Sequence, residues 1–368
     1  MKENRISVYV FRVLCVACVV IAILVFGGIY DDYHEIEKID LLQVLGIDRQ
    51  DDMVNLAALG SQKSGEKPVL YTGQGEAMNR AAANMQTEAG AEYLHFGHVK
   101  YIVISKEAAK NKISDILDYC IRMPDIGLNA ALYYVEEPVL ETMEALEPGQ
   151  NLSKILEAMA TKGRKTSVMY SYTLMDVITC IQRNGFALAS CFTMENGQVV
   201  PKGTAVLPEN GEPFLLDMEQ TAIIALLDGR LKNFSQVVEG NDNKGVGIDI
   251  SETNVTYDLV KEKDGLVLSI EVKLQCGLDE LYTEQEMLDR QGIVKIEKAV
   301  SNKLKKQIED VIAKSKEIEI DICKLGQKAY LISGNKDNMA LDNIGVQVSV
   351  VATINRTYAI GEGANNEQ

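Results

Sequence analysis

Residues 254–275 read NVTYDLVKEKDGLVLSIEVKLQ, and this stretch decides the fold class. Asn254 to Val260 and Leu266 to Gln275 alternate apolar and polar side chains, the period of a half-buried strand, and Lys263-Asp264-Gly265 between them predicts a tight hairpin. Downstream the period changes. Ile293, Ile296, Val300, Leu304, Ile308 and Val311 recur at three and four, with Lys298, Lys303, Lys305, Lys306, Glu309 and Asp310 between them, which predicts a long helix with one buried face. Val346, Val348, Val350, Ala352 and Ile354 return to period two and predict a closing strand buried on one side. Two strands, a helix and a strand make a mixed α+β domain, expected over 246–360, with a frayed tail at 361–368.

Toward the N-terminus the same two periods alternate at short range. Ile39 to Asp48 and Met53 to Leu59 predict a strand pair across an Asp-rich turn, Ser61 to Pro68 a loop, and the Ala- and Met-rich run Gly75 to Ala91 a helix. Tyr101 to Ile104 and Asn129 to Val135 predict buried strands on either side of one helix, Ala108 to Met123, stopped by Pro124. An α+β domain is therefore expected over 31–150. Helices at Leu152–Thr161, Leu174–Asn184 and Met218–Leu227, with strands at Phe186–Thr193 and Val199–Leu207, predict a middle α+β domain over 151–245, ending in the turn-rich Gly240 to Gly247.

The first thirty residues obey a different rule. Val13 to Ile29 is an uncharged run, preceded by Lys2, Arg5 and Arg12 and followed by Asp31, Asp32, Glu35 and Glu37. Its length as a helix is about 25 Å, slightly short of a ~30 Å hydrocarbon core, and Tyr9 to Phe11 extend it while Arg12 snorkels. Residues 1–30 are thus expected to be a cytoplasmic tip and transmembrane anchor, with Val13, Val19, Ile21, Leu24, Phe26 and Ile29 in the bilayer and the bulk of the chain outside. A signal peptide cut near Val25-Phe26-Gly27 is a second reading. A lipoprotein signal is a third, disfavoured because Cys15 and Cys18 lie inside the apolar run. The fold class expected is α+β: a transmembrane helix, then an ectodomain of about three mixed domains.

Composition limits the chemistry. The net charge of −16 repels nucleic acid and anionic lipid. The three histidines are His34, beside the membrane segment, and His95 and His98, which lack both the Glu and the spacing of a zinc-protease helix. Gly73-Gln74-Gly75 has neither the third glycine nor the lysine of a phosphate-binding loop, and reads as a turn. Acidic pairs such as Glu136-Glu137 read as solvated faces. Five cysteines outside the anchor, scattered and odd in number, read as buried free thiols. No catalytic, metal or cofactor site is expected.

Several stretches, in order, resemble the spore germination Ger(x)C family, the C subunits of nutrient germinant receptors. They are Leu45-Gly46-Ile47-Asp48; Tyr71 to Ala77 with Gly73 and Gly75; Tyr93 to Ile104 with Phe96, Gly97, His98 and Lys100; and Arg122 to Ile126. Lys202 to Val206 with Gly203, the helix bearing Glu219, the Asp321 to Gly326 element and the closing strand through Thr357 complete the set. The likeness runs from about Ile36 to Thr357. It implies a non-catalytic receptor subunit on the outer face of the spore inner membrane, assembled with A and B subunits and meeting the germinant only indirectly. The motif residues are then structural or interfacial. Family members commonly carry a lipobox ending in Cys-Trp-Asp; this chain has Gly27 to Asp32 there and no Trp, so lipid attachment is not carried over. An anchored small-molecule binding module is the alternative, and a cell-wall enzyme a more distant one.

Overall fold

The computed structural model describes residues 12–22, 39–60, 68–90, 93–110, 113–147, 149–166, 169–239, 245–262, 265–281, 290–335, 340–341 and 344–357. In chain order these form α1 (12–22), β1 (Ile39–Leu41), β2 (Val44–Gln50), β3 (Met53–Leu59), β4 (Leu70–Gly75), α2 (Met78–Glu88), β5 (Tyr93–His95) and β6 (Tyr101–Ser105). Next come α3 (Lys106–Ala109), α4 (Ile113–Arg122), β7 (Ala131–Val135), α5 (Val139–Glu144), α6 (Leu152–Thr166), α7 (Leu174–Asn184), β8 (Phe186–Glu195), β9 (Gln198–Pro208) and β10 (Phe214–Leu216). The chain continues through α8 (Met218–Leu227), β11 (Phe234–Glu239), β12 (Gly245–Glu262), β13 (Gly265–Leu281), α9 (Arg290–Glu317), α10 (Leu325–Ser333) and β14 (Ile344–Thr357).

An eight-stranded sheet of order β10-β9-β8-β7-β6-β2-β3-β4 forms the larger lobe. Its centre, β2, β6, β7 and β8, is parallel, and antiparallel hairpins flank it on both sides. Helices cover both faces, so β6 and β7 are buried at every position. Leu45, Ile47, Ile102, Ile104, Leu132 and Tyr134 face one core with α2, α4 and α7. Val44, Val103, Tyr133 and Val135 face the other with α5 and α6. The smaller lobe is a sheet of order β11-β12-β13-β14, with β14 parallel to β13. One face of α9 packs on it through Ile296, Val300, Leu304, Ile308 and Val311.

Most of the expected elements form, and three differences have physical causes. Residues 108–123 are two helices: the Ser105 hydroxyl caps α3 by accepting from the Ala108 amide, and Lys110 then turns extended. The sheet also passes through the boundary expected near 150, because Tyr133 and Tyr134 of β7 pair in parallel with Ser190 and Cys191 of β8. Likewise β11, from the expected middle domain, pairs with β12, so the last sheet begins at Phe234. In the β12–β13 hairpin Glu262 pairs with Gly265, and residues 263–264 lie outside the described residues.

The expected N-terminal anchor is described only in part. Helix α1 exposes Val13, Val19 and Ile21, while Leu24, Phe26 and Ile29 lie outside the described residues. Among the described residues no helix is long and apolar enough to cross a membrane.

The lobes share a core. Helix α8 is buried from Thr221 to Leu227, with no polar face, because β8–β9 side chains (Phe186, Leu188, Val206) meet it from one lobe and β12, β13, α9 and α10 from the other. A reciprocal cap starts it: Asp217 accepts from the Gln220 amide and Gln220 from the Asp217 amide.

Candidate functional site

Two places concentrate polar side chains. The first is a cleft of about 560 Å³ beyond the carboxyl end of β2, the position where α/β sheets commonly bind ligands. Its floor is apolar, from Ile47, Val54, Met78 and Ile116, and its walls are the start of α2 and one side of α4. Asp48, at the end of β2, is fixed by accepting from Ser105 Oγ at 2.5 Å and from the Arg49 amide at 2.7 Å. Asp118 pairs with Arg122 at 2.7 Å. Glu76, Asp115 and the Arg49 guanidinium make no hydrogen bond or ion pair among the described residues. Burial pushes the Tyr119 hydroxyl up to about 12, so it stays neutral in the cleft wall. A second groove of about 660 Å³ adjoins across Asp48 and Arg49.

The second place is the carboxyl end of α8, where the lobes meet. Tyr257 of β12 donates its hydroxyl to the Leu227 carbonyl at 2.5 Å. Lys328 of α10 donates to the same carbonyl and, at 2.6 Å, to the Tyr257 oxygen, with its Nζ 3.9 Å from that ring's centre. Asp228 receives Lys324 at 3.3 Å, Arg230 at 3.1 Å and the Tyr170 hydroxyl at 3.5 Å, and Arg230 stacks on Tyr170 at 4.2 Å. Cations around a helix carboxyl terminus complement its dipole. Burial pushes Lys328 down to about 8, against the opposing pull of Asp228. Lys324 and Arg230 move up despite burial, held charged chiefly by Asp228 and by Tyr170 respectively, with Tyr172 assisting both. The cluster is closed by its own hydrogen bonds.

The motif residues fall in five separate places. Gly73 and Gly75 lie under α2, where a Cβ on Gly73 would fall on the Ala81 carbonyl and 2.6 Å from the Met85 amide. Phe96, Gly97 and His98 form a 3₁₀ turn between β5 and β6. Phe96 is buried, while the side chains of His98 and Lys100 are exposed, and the Lys100 backbone bridges Gln43 and Ala131. Gly203 adopts φ +114 at a β9 bulge opposite Cys191, where a Cβ would strike the Leu216 carbonyl. Glu219 accepts from Gln307 at 3.0 Å, tying α8 to α9. Asp321 receives the Leu325 and Gly326 amides at 2.9 and 2.7 Å and so caps α10. Burial raises the Asp321 pKa in spite of these two bonds.

All seven cysteines are free, and burial pushes Cys120, Cys191 and Cys276 up to about 12, away from thiolate chemistry. Among the described residues no three His, Cys, Asp or Glu side chains are grouped to hold a metal ion. Asp228 and Lys328 have no signal in the sequence, and Lys324 is met there only as part of the Asp321 to Gly326 element. The all-apolar run of α8 was the one available sign that a second layer must cover it.

Comparison with known proteins gives one consistent picture. Residues 32–192 match the family model described as spore germination protein N-terminal domain, and residues 202–358 match spore germination B3/GerAC like, C-terminal. Spore germination protein KC of Bacillus subtilis is 21% identical over 362 residues, covering 87% of each chain. YndF, a spore germination protein of the same organism, is 23% identical over 231 residues, covering 59% of this chain and 55% of its own. The crystal structure of the GerBC protein superposes with a TM-score of 0.58 at 14% identity, covering 84% of this chain and 96% of that one.

Proposed function

Because the chain belongs to the GerAC-like family of spore germination proteins, we propose that it is the C subunit of a nutrient germinant receptor, a non-catalytic assembly and relay protein. The observation that carries this reading is the end-to-end match of both family models across 32–358, together with a fold shared with the GerBC protein. The N-terminal segment holds the chain at the spore inner membrane as a single-pass anchor, with Asp31 onward facing outward. Its flanking charges, Lys2, Arg5 and Arg12 against Asp31, Asp32, Glu35 and Glu37, support that orientation. The motif residues serve the assembly. Gly73, Gly75, Gly203, Glu219, Asp321 and Gly326 join one element to another, whereas the exposed His98 and Lys100 are free to face A and B subunits.

Spores carrying a deletion of this chain test the proposal. They lose the response to one class of nutrient and regain it with the full-length chain, and a His98→Ala, Lys100→Ala double variant restores it poorly while accumulating normally. A nutrient response unchanged by the deletion contradicts the proposal. The cleft beyond β2 favours the binding-module reading for that region alone.

A further inference from the structure

Three asparagines are followed by glycine: Asn184-Gly185, Asn196-Gly197 and Asn210-Gly211. Glycine has no side chain to shield its amide nitrogen from the asparagine before it, so the three pairs share one intrinsic reactivity. The fold separates them. Asn184 ends α7, and the Gly185 amide that would attack it donates to the Ile181 carbonyl at 2.8 Å. Asn196 sits at φ +51 in the two-residue turn between β8 and β9, closed by the Glu195–Gln198 pair. A Cβ on Gly197 would lie 2.7 Å from Glu147 Cγ, so that turn is crowded. Asn210 is exposed in the loop between β9 and β10, and neither its side chain nor the Gly211 amide makes a hydrogen bond among the described residues. A Cβ on Gly211 would meet only Pro208, at 3.7 Å.

We propose that Asn210 is the residue of these three that deamidates as the folded protein ages, a modification that turns one amide into a carboxylate. The Gly211 nitrogen loses its proton to hydroxide and attacks Asn210 Cγ. A carbon–nitrogen bond forms, the bond from Cγ to the amide nitrogen breaks, and ammonia leaves with a proton taken from water. One further water opens the five-membered succinimide. Cleavage at Cγ gives aspartate, whereas cleavage at the main-chain carbonyl carbon gives isoaspartate, whose main chain is longer by one methylene. Both ends of the loop are held: the Glu209 amide donates to the Gly185 carbonyl at 2.8 Å, and Phe214 pairs with Val206. The extra methylene is therefore taken up between them, where Glu212 meets Lys110 at 2.5 Å, and it shifts that exposed ion pair. The modification is independent of the receptor-subunit reading, so either can fail while the other stands.

The full-length protein in lipid nanodiscs, aged in mildly alkaline buffer and then digested, tests this by peptide mass spectrometry with isoaspartyl methyltransferase labelling. Aspartate and isoaspartate are expected first at residue 210. Product at residue 184 is expected at least about five-fold more slowly, because one hydrogen bond must open before attack. The same chain aged in guanidinium is expected to react at all three pairs at similar rates, since the fold no longer distinguishes them. Asn210→Ser changes one exposed loop side chain, keeps the fold, and is expected to remove most of the early isoaspartate. Equal rates at the three pairs in the folded protein overturn the proposal, as does faster product at residue 184 or 196. An Asn210 that reacts more slowly folded than in guanidinium, by the same factor as Asn184, overturns it too.

Discussion

The cleft beyond β2 and the junction at the end of α8 both collect charged and aromatic side chains, yet they handle charge in opposite ways. At the junction Asp228 is met by Lys324, Arg230 and Tyr170, and Lys328 is tied to a carbonyl and a hydroxyl. In the cleft Glu76, Asp115 and Arg49 stand unpaired among the described residues. Buried charge must be compensated to be tolerated, whereas charge at a half-open surface can wait for a partner. The difference marks the junction as architecture and leaves the cleft's charges outside it, and substitutions can break or sharpen that contrast.

The largest effect is expected from Asp228→Ala. Lys324 and Asp228 side chains are only 19% and 12% exposed, so removing the carboxylate leaves cations at the junction without their counter-charge. A loss of roughly 3 kcal/mol is expected in urea unfolding. A loss below about 0.5 kcal/mol, the range of ordinary surface changes, would erase the distinction between the two regions.

Lys328→Met gives a smaller effect with a definite sign. Lys328 lies near 8 in the folded chain and near 10.5 once unfolded, so between those values the unfolded chain holds more protons. Wild-type stability therefore rises with pH across that window relative to Lys328→Met, by about 2 kcal/mol at pH 9.5. Below pH 8 the offset between the two is constant. Urea midpoints at pH 7 and 9.5 read the change, and parallel curves would place Lys328 in solvent.

Asp321→Ala removes the cap of α10 and is expected to cost about 1–2 kcal/mol, seen as a lower melting temperature. Faster exchange of the Leu325 and Gly326 amides accompanies it, since both donate to that carboxylate. The smallest effect belongs to the cleft: Glu76→Gln with Asp115→Asn is expected to leave stability within about 0.5 kcal/mol. A larger loss would mean that these carboxylates hold the fold together.

The same contrast explains what the sequence reveals. Periodicity in one segment is local, so the β12–β13 hairpin, the buried stripe of α9 and the alternation of β14 are legible from residue types alone. Pairing between distant segments is not. Tyr133 and Ser190 are neighbours across β7 and β8 although α5, α6 and α7 separate them in sequence, and this hides the unity of the large sheet. Lys324 and Lys328, a helical turn apart, carry no sign in the sequence of the Asp228 carboxylate and Leu227 carbonyl that they meet at the end of α8. Asp321 is different: the family resemblance singles out its element through Gly326, and the cap it makes gives that element a physical reason. The cleft has no local signature, because Arg49, Glu76 and Asp115 come from three elements that only the fold brings together.

Purification of the tagged full-length chain from detergent-solubilised spore membranes, with mass spectrometry of its partners and of its own N-terminus, tests the central claim most directly. Recovery with receptor A and B subunits, and with residues 13–29 intact, is the predicted result. A chain recovered alone, cleaved near Gly27 and released from the membrane would contradict it.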